Sequence, residues 1–137
     1  MTEVLARTII NQCMFQPKRW RYFCNPAMLV DCEEFAIELP DDDVTLNAWY
    51  FTVKEPSGYV MASYGAGNCV CDWVGEANYL RERYNVSVLV HDYRGYGKST
   101  GTPDNEAAKV NFSAGCITVC KKCRSRCVSV RRYLWLV

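Results

Sequence analysis

The sequence predicts an α/β fold, a mixed and mostly parallel sheet organised around a right-handed strand-helix-strand crossover. Three observations carry this expectation. Val60-Met61-Ala62-Ser63-Tyr64 is a short apolar run that stops at Gly65-Ala66-Gly67-Asn68. Val86-Ser87-Val88-Leu89-Val90 is a second run, β-branched and apolar in the manner of a buried parallel strand. Between them Val74, Ala77, Leu80 and Tyr84 recur at helical spacing, with Asp72 as the expected N-cap and Glu76 in the early turns.

Upstream, Glu34-Phe35-Ala36-Ile37-Glu38-Leu39 alternates between polar and apolar residues as a strand does, Pro40 to Asp43 reads as an acidic turn, and Val44 to Val53 reads as a second strand. A hairpin is therefore expected to feed the parallel unit. Trp49, Tyr50 and Phe51 are read as sheet packing, because aromatic side chains suit a pleated, half-buried surface. Trp20, Arg21 and Tyr22 are read as an N-terminal loop laid over the sheet.

The second glycine turn contains Gly97-Lys98-Ser99-Thr100-Gly101, a literal Gly-x-Ser-x-Gly. A nucleophile elbow places its serine directly after a strand and at the head of a helix, because the strain of that turn exposes the hydroxyl. Here His91 to Tyr96 intervene and Thr100-Gly101-Thr102-Pro103-Asp104 follows as turn chemistry, so Ser99 is read as structural. Gly97-Lys98-Ser99 also matches the end of a phosphate-binding loop, yet Asp92 stands where that motif needs its first glycine and would repel phosphate. Lys98 is then a solvated loop residue. His91, the only histidine, is read as a partly buried residue at the rim of the site. Asp92 and Arg94 are expected to form an ion pair that fixes the loop, with Gly95 and Gly97 supplying its tight backbone.

Asp92-Tyr93-Arg94-Gly95-Tyr96-Gly97-Lys98-Ser99 resembles the Asp-x-Arg-Gly-x-Gly-x-Ser loop after the fourth strand of α/β-hydrolases. Tyr64-Gly65-Ala66-Gly67-Asn68 is similar to that family's His-Gly-Asn-(Ala/Gly)-Gly-Asn turn after strand three, with Tyr64 in place of histidine and one residue of the turn missing. The separation of the two motifs fits as well. Within the family the nearest likeness is to the Bem46-like serine hydrolases, where Phe15-Gln16-Pro17 is similar to an upstream tract; the resemblance spans about residues 12–106.

The resemblance implies the N-terminal portion of an α/β-hydrolase fold, with strand order 1-2-4-3-5. It also implies a full-length enzyme that cleaves an ester, thioester or amide of a small-molecule substrate through an acyl-enzyme, with no cofactor. Carried over by position, the backbone N–H of Ala66 is one oxyanion donor, and Gly65, Gly67, Asp92, Arg94, Gly95, Gly97 and Ser99 form the structural loops near the site. Nucleophile, acid and base histidine come later along such chains and in that order. None is matched by these residues, so no catalytic residue is assigned and the chain alone is expected to be inactive.

Composition sets the outer limits. A chain of 137 residues is short for a complete α/β-hydrolase, and with 50% hydrophobic residues disorder is excluded as a default. All fifteen acidic residues lie at or before Glu106, beside nine basic ones, whereas residues 107–137 carry seven basic residues and no acidic one. Such a step marks a boundary. It divides a hydrolase-like domain at 1–106 from a Cys-rich basic tail at 107–137, as a frameshift, a retained intron or early termination would produce. No helix leading to a nucleophile strand is expected there. Strand three is expected to stand as an open edge, and the sheet face to be left largely bare.

Cys116, Cys120, Cys123 and Cys127 fall on one face if the tail is helical. One straight helix does not wrap four thiolates round a zinc ion, so no metal is assigned. With Lys121, Lys122, Arg124 and Arg126 nearby, a small zinc or nucleic-acid-binding module is the alternative reading; the leading one has no nucleic-acid partner. Cys69 and Cys71 are too close for an easy disulfide, and no secretory signal precedes them. The apolar stretch in residues 1–14 is far shorter than the ~20 residues of a membrane span. A cytoplasmic protein without a membrane span is the resulting expectation.

Overall fold

Alternation builds the first hairpin. In β1 (Cys32–Leu39) and β2 (Val44–Phe51) the chain pairs antiparallel from Cys32↔Phe51 to Leu39↔Val44, closed by a 3-10 turn at Pro40–Asp42 and by Asp43 at φ 51°. The computed structural model describes residues 4–6, 8–9, 13, 15–17, 24–65 and 67–123. Two further strands complete one sheet, β3 (Gly58–Ala62) and β4 (Val86–His91), in the order β1-β2-β4-β3. β2 and β4 are antiparallel, while β3 and β4 run parallel from Gly58↔Val86 to Ala62↔Val90.

Strand ends differ slightly from the periodicity, each for a hydrogen-bonding reason. β2 stops at Phe51: Thr52 N–H still reaches the Asp31 carbonyl at 2.8 Å in the register of the hairpin, but Val53 N–H leaves the ladder for Ser87 Oγ at 3.1 Å. β3 stops at Ala62, so that Ser63 and Tyr64 belong to the exit loop rather than to the strand.

A 3-10 turn (Val70–Trp73) leads into helix α1 (Val74–Tyr84), whose C-terminus closes on Asn85 at φ 50° with its N–H on the Arg81 carbonyl. Asp72 is not the N-cap of this helix, which is Trp73. It stands three positions inside the 3-10 turn and its carboxylate accepts the Cys69 N–H at 3.0 Å, closing a capping box from the far side.

Helix α2 (Asn105–Cys123) follows the second glycine turn. A helix thus does form where none leading to a nucleophile strand is expected, and it runs across position 106, where the composition changes. Asn111, Gly115 and Val119, four residues apart, form its buried face. The sheet is accordingly covered on both sides. Trp49, Phe51, Val88, Val90, Ala62, Val70 and Ala77 form one core beneath α1; Leu46, Ala48, Tyr50, Leu89, Met61 and Val119 form the other beneath α2, where Phe112 and Cys116 pack at its margin. The face expected to be bare is thus closed by the segment expected to be a foreign tail. β3 does stand at the end of the strand order.

No helix among the described residues is long and apolar enough to cross a membrane. Trp20, Arg21, Tyr22 and residues 124–137 lie outside the described residues.

Candidate functional site

Because β3 and β4 are parallel, their exit loops emerge at the same end of the sheet, where α/β folds place ligands. Asp92, the first residue past β4, joins them. Its side chain is 0% exposed, and a buried carboxylate persists only where donors surround it. Oδ1 accepts the Tyr64 hydroxyl and the Val70 N–H, both at 2.8 Å; Oδ2 accepts Asn47 Nδ2 at 2.9 Å and the Lys98 N–H at 3.4 Å. One carboxylate therefore holds the β3 exit, the turn that starts α1, the polar position of β2 and the glycine turn after β4.

Tyr64 occupies the position where the resembled family carries histidine. The ring is 4% exposed, edge-on to Tyr93 with centroids 5.1 Å apart, and its hydroxyl also accepts the Tyr93 N–H at 3.3 Å. Burial first, and the adjacent Asp92 carboxylate second, push the phenol well above its ordinary range. It is a fixed donor to Asp92.

Gly97, at φ 48°, is required by the same clamp: a Cβ there would fall on the Asp92 carboxylate. Gly95, at φ 78°, lies against Pro103 in the same way. Gly67 has φ 83° and open space around it. Gly65 lies in the exit loop without a close neighbour at its Cβ position, and Ala66 lies outside the described residues.

Ser99 is 1% exposed. Its hydroxyl donates to the Asp92 carbonyl at 2.8 Å and accepts the Asn47 N–H at 2.9 Å. Neighbouring bonds continue the seam: Asp92 N–H to the Asn47 carbonyl, Thr100 N–H to the Thr45 carbonyl, and Thr45 N–H to Thr100 Oγ1. The glycine turn is thus sewn along β2.

Two loop contacts differ from the sequence reading. Arg94 does not pair with Asp92; its guanidinium reaches Asp42 in the hairpin turn at 2.6 Å. The reason is position, since Asp92 points inward to its donors while Arg94 emerges on the hairpin side. Lys98, expected to be solvated, reaches Glu34 on β1 at 2.7 Å.

His91 is not partly buried at a rim. It is 1% exposed, neither ring nitrogen has a hydrogen-bond partner, and burial pulls it down to about 4 from its usual 6.5. It stays neutral, and neither ring nitrogen bonds Ser99.

Cys13, Cys24, Cys32, Cys69 and Cys71 are free thiols, whereas Cys120 is disulfide-bonded. Cys127 lies outside the described residues. Among the described residues no three His, Cys, Asp or Glu side chains converge on a metal position. A cavity of about 580 Å³ bordered by Met28, Thr52, Lys54 and Arg81 sits at the other end of the sheet, away from the two exit loops.

Asn47 was not singled out by the sequence reading. The signal was present, as one amide between Leu46 and Ala48 in an otherwise apolar strand.

A sheet of this order, with parallel β3 and β4 joined through α1, a helix on each face and a glycine turn after β4, is part of the α/β-hydrolase fold. A solved structure agrees at the level of fold. The chain is similar to the esterase PF2001 of Pyrococcus furiosus, with TM-score 0.58 and 19% identity over 79% of this chain and 41% of that one. It also matches the α/β hydrolase GrgF from Penicillium sp. sh18, with TM-score 0.48 and 19% identity over 74% of this chain and 35% of that one. The chain therefore spans about two fifths of the length of the esterase. No family model matches the sequence, and no curated protein matches it.

Proposed function

We propose that this chain supplies the oxyanion-side loops of a serine hydrolase of the Bem46-like kind, acting in its full-length form on ester, thioester or amide bonds of a small molecule. The observation that carries the reading is the Asp92 clamp, which fixes the β3 exit and the β4 exit against each other at the end of the sheet where such chemistry occurs.

In acyl transfer the developing charge on the carbonyl oxygen is stabilised by backbone donors held in place beforehand. The turn after β3 is the place for one such donor, and Ala66 N–H is assigned to it by resemblance. Tyr64 at one end of that turn and Val70 at the other are both bound to Asp92, so the turn is spanned between two fixed posts. Gly65 and Gly67 leave room for a substrate to approach the backbone. Arg94, Gly95, Gly97 and Ser99 hold the facing loop.

The second donor, the nucleophile, the acid and the base belong to the full-length form. Residues 1–137 alone are expected to be inactive. A fluorophosphonate probe tests this on the present chain and on any longer product of the same coding DNA. Labelling of the longer product and none of the present chain supports the reading; labelling of the present chain that vanishes in Ser99→Ala overturns it.

A further inference from the structure

At Gly115 the backbone of helix α2 rests directly on two side chains of the sheet. A Cβ at that residue would fall 2.5 Å from the Met61 methyl carbon and 3.3 Å from His91 Nδ1. His91 is 1% exposed, and neither ring nitrogen has a hydrogen-bond partner. β4 is a central strand, paired with β2 through Ala48↔His91 and with β3 along its other edge. The helical residues packed into this core, Phe112, Ala114, Cys116 and Val119, all belong to α2. The ladder therefore holds the flanks of the imidazole and α2 is its cover.

We propose that His91 and helix α2 form an acid-operated latch, in which protonation of the imidazole lifts α2 from an intact sheet and bares the apolar face beneath it.

An imidazolium needs acceptors or water, and the closed site supplies neither. From α2, Gly115 presents backbone and Cys116 a thiol whose Sγ lies 3.4 Å from Met61 Sδ; Lys109 and Lys121 face solvent and Lys122 is bound to Glu33. β3 contributes Met61 and β2 contributes Ala48. On the strand's own exit the Asp92 carboxylate is committed to its clamp, and the Tyr93 ring stands edge-on at 5.4 Å with a phenol that burial pushes up and keeps uncharged. Burial alone thus sets the cost of the proton.

Lifting α2 breaks no rung of the sheet, since no backbone hydrogen bond among the described residues joins this helix to a strand. Openings of that kind come from the least stable unit of a fold. In the closed form the imidazole takes its proton near 4, and in the open form near its usual 6.5. Above 6.5 both forms are neutral and the latch is shut. As the pH falls from 6.5 to 4 the open form binds a proton that the closed form does not, and the open population rises on the order of a hundredfold. The open form exposes Leu46, Ala48, Tyr50, Met61 and Leu89.

Native-state amide hydrogen exchange of the full chain, followed across that window and corrected for the intrinsic pH dependence of exchange, tests the latch. Amides of α2 are expected to be less protected than those of β2 and β4 at every pH, and their protection to fall on the order of a hundredfold towards pH 4. In His91→Leu that fall should vanish. Equal protection of α2 and the sheet throughout would mean that water reaches the imidazole only by global unfolding, which overturns the proposal. Low α2 protection that stays flat with pH also overturns it, as does a fall that persists in His91→Leu and so belongs to carboxylates. Should His91→Leu fail to fold, the wild-type comparison of α2 with β4 still decides.

Discussion

The Tyr64 hydroxyl donates to Oδ1 of Asp92 at 2.8 Å, across 28 residues of chain, and this bond joins the exits of the two parallel strands. The Val70 N–H shares the same oxygen. Between those two anchors lie only the residues of the first glycine turn, so its course is set from both ends.

Tyr64→Phe keeps the buried ring and removes one donor to Asp92 together with the acceptor of the Tyr93 N–H. A loss of roughly 1–2 kcal/mol in urea unfolding is expected. Tyr64→His restores a donor of the kind the resembled family uses, and regains part of it. Asp92→Ala strands all four donors and is expected to cost at least about 3 kcal/mol. Equal stability of Tyr64→Phe and wild type in chemical denaturation would remove the clamp from the account.

Gly97→Ala drives a methyl group onto the Asp92 carboxylate at a backbone conformation that disfavours any side chain. A destabilisation of about 2 kcal/mol or more is expected. Gly67→Ala, with positive φ but no neighbour in the way, is expected to cost about 1 kcal/mol. The melting temperatures of the pair distinguish collision from backbone strain, and reversal of their order would refute this ranking.

His91 gives the protein a defined acid sensitivity. In the unfolded chain it takes its proton near 6.5; in the folded protein burial lowers this to about 4. Above pH 6.5 both states are neutral and stability is complete. As the pH falls from 6.5 towards 4 the unfolded chain binds a proton that the folded one does not, and up to about 3 kcal/mol is lost across that window. Wild type should lose more stability over this window than His91→Leu, measured as urea midpoints. Parallel curves would contradict the buried neutral imidazole.

Ser99→Ala removes a donor to the Asp92 carbonyl and the acceptor of the Asn47 N–H. A loss of about 1–2 kcal/mol is expected, with no change in reactivity towards an activated ester. Faster unfolding and altered ester reactivity are separate readouts, and only the first should move.

Arg94→Ala breaks the bond to Asp42, whose side chain is 40% exposed. Less than about 1 kcal/mol should be lost from the ion pair itself, and the difference should shrink in high salt. A double-mutant cycle with Asp42→Ala isolates the pair; a coupling well above that figure would place the contact in a drier setting than its exposure indicates.

Local pattern made the sheet and its first helix readable. Alternation in Glu34–Leu39, β-branching in Val86–Val90 and the helical spacing of Val74, Ala77, Leu80 and Tyr84 act within a few residues, and each gave the element that forms there. Helix α2 was missed because Lys, Cys and Ser dilute its apolar face, and a glycine sits where its closest contact with the sheet is made. Composition changed at position 106 while the core did not, since Val119 packs with Leu46 and Leu89 whatever the charge of its exposed neighbours.

The candidate site divides along the same line. The two glycine turns and their separation were legible, because positive φ and tight turns demand glycine wherever the chain makes them. Partnership was not. Asp42 and Asp92 are the same residue type, and which of them takes Arg94 depends on two loops separated by 52 residues meeting at one corner of the sheet. Asn47 and Asp92 are likewise 45 residues apart. Sequence by itself determined the elements and the turns, since these rest on local backbone preference and periodic burial. Only the tertiary structure decided which groups are dry, and burial is what turned Asp92 into a clamp and left His91 neutral and unpaired, because hydrogen bonds and protonation are set by what replaces water around a group.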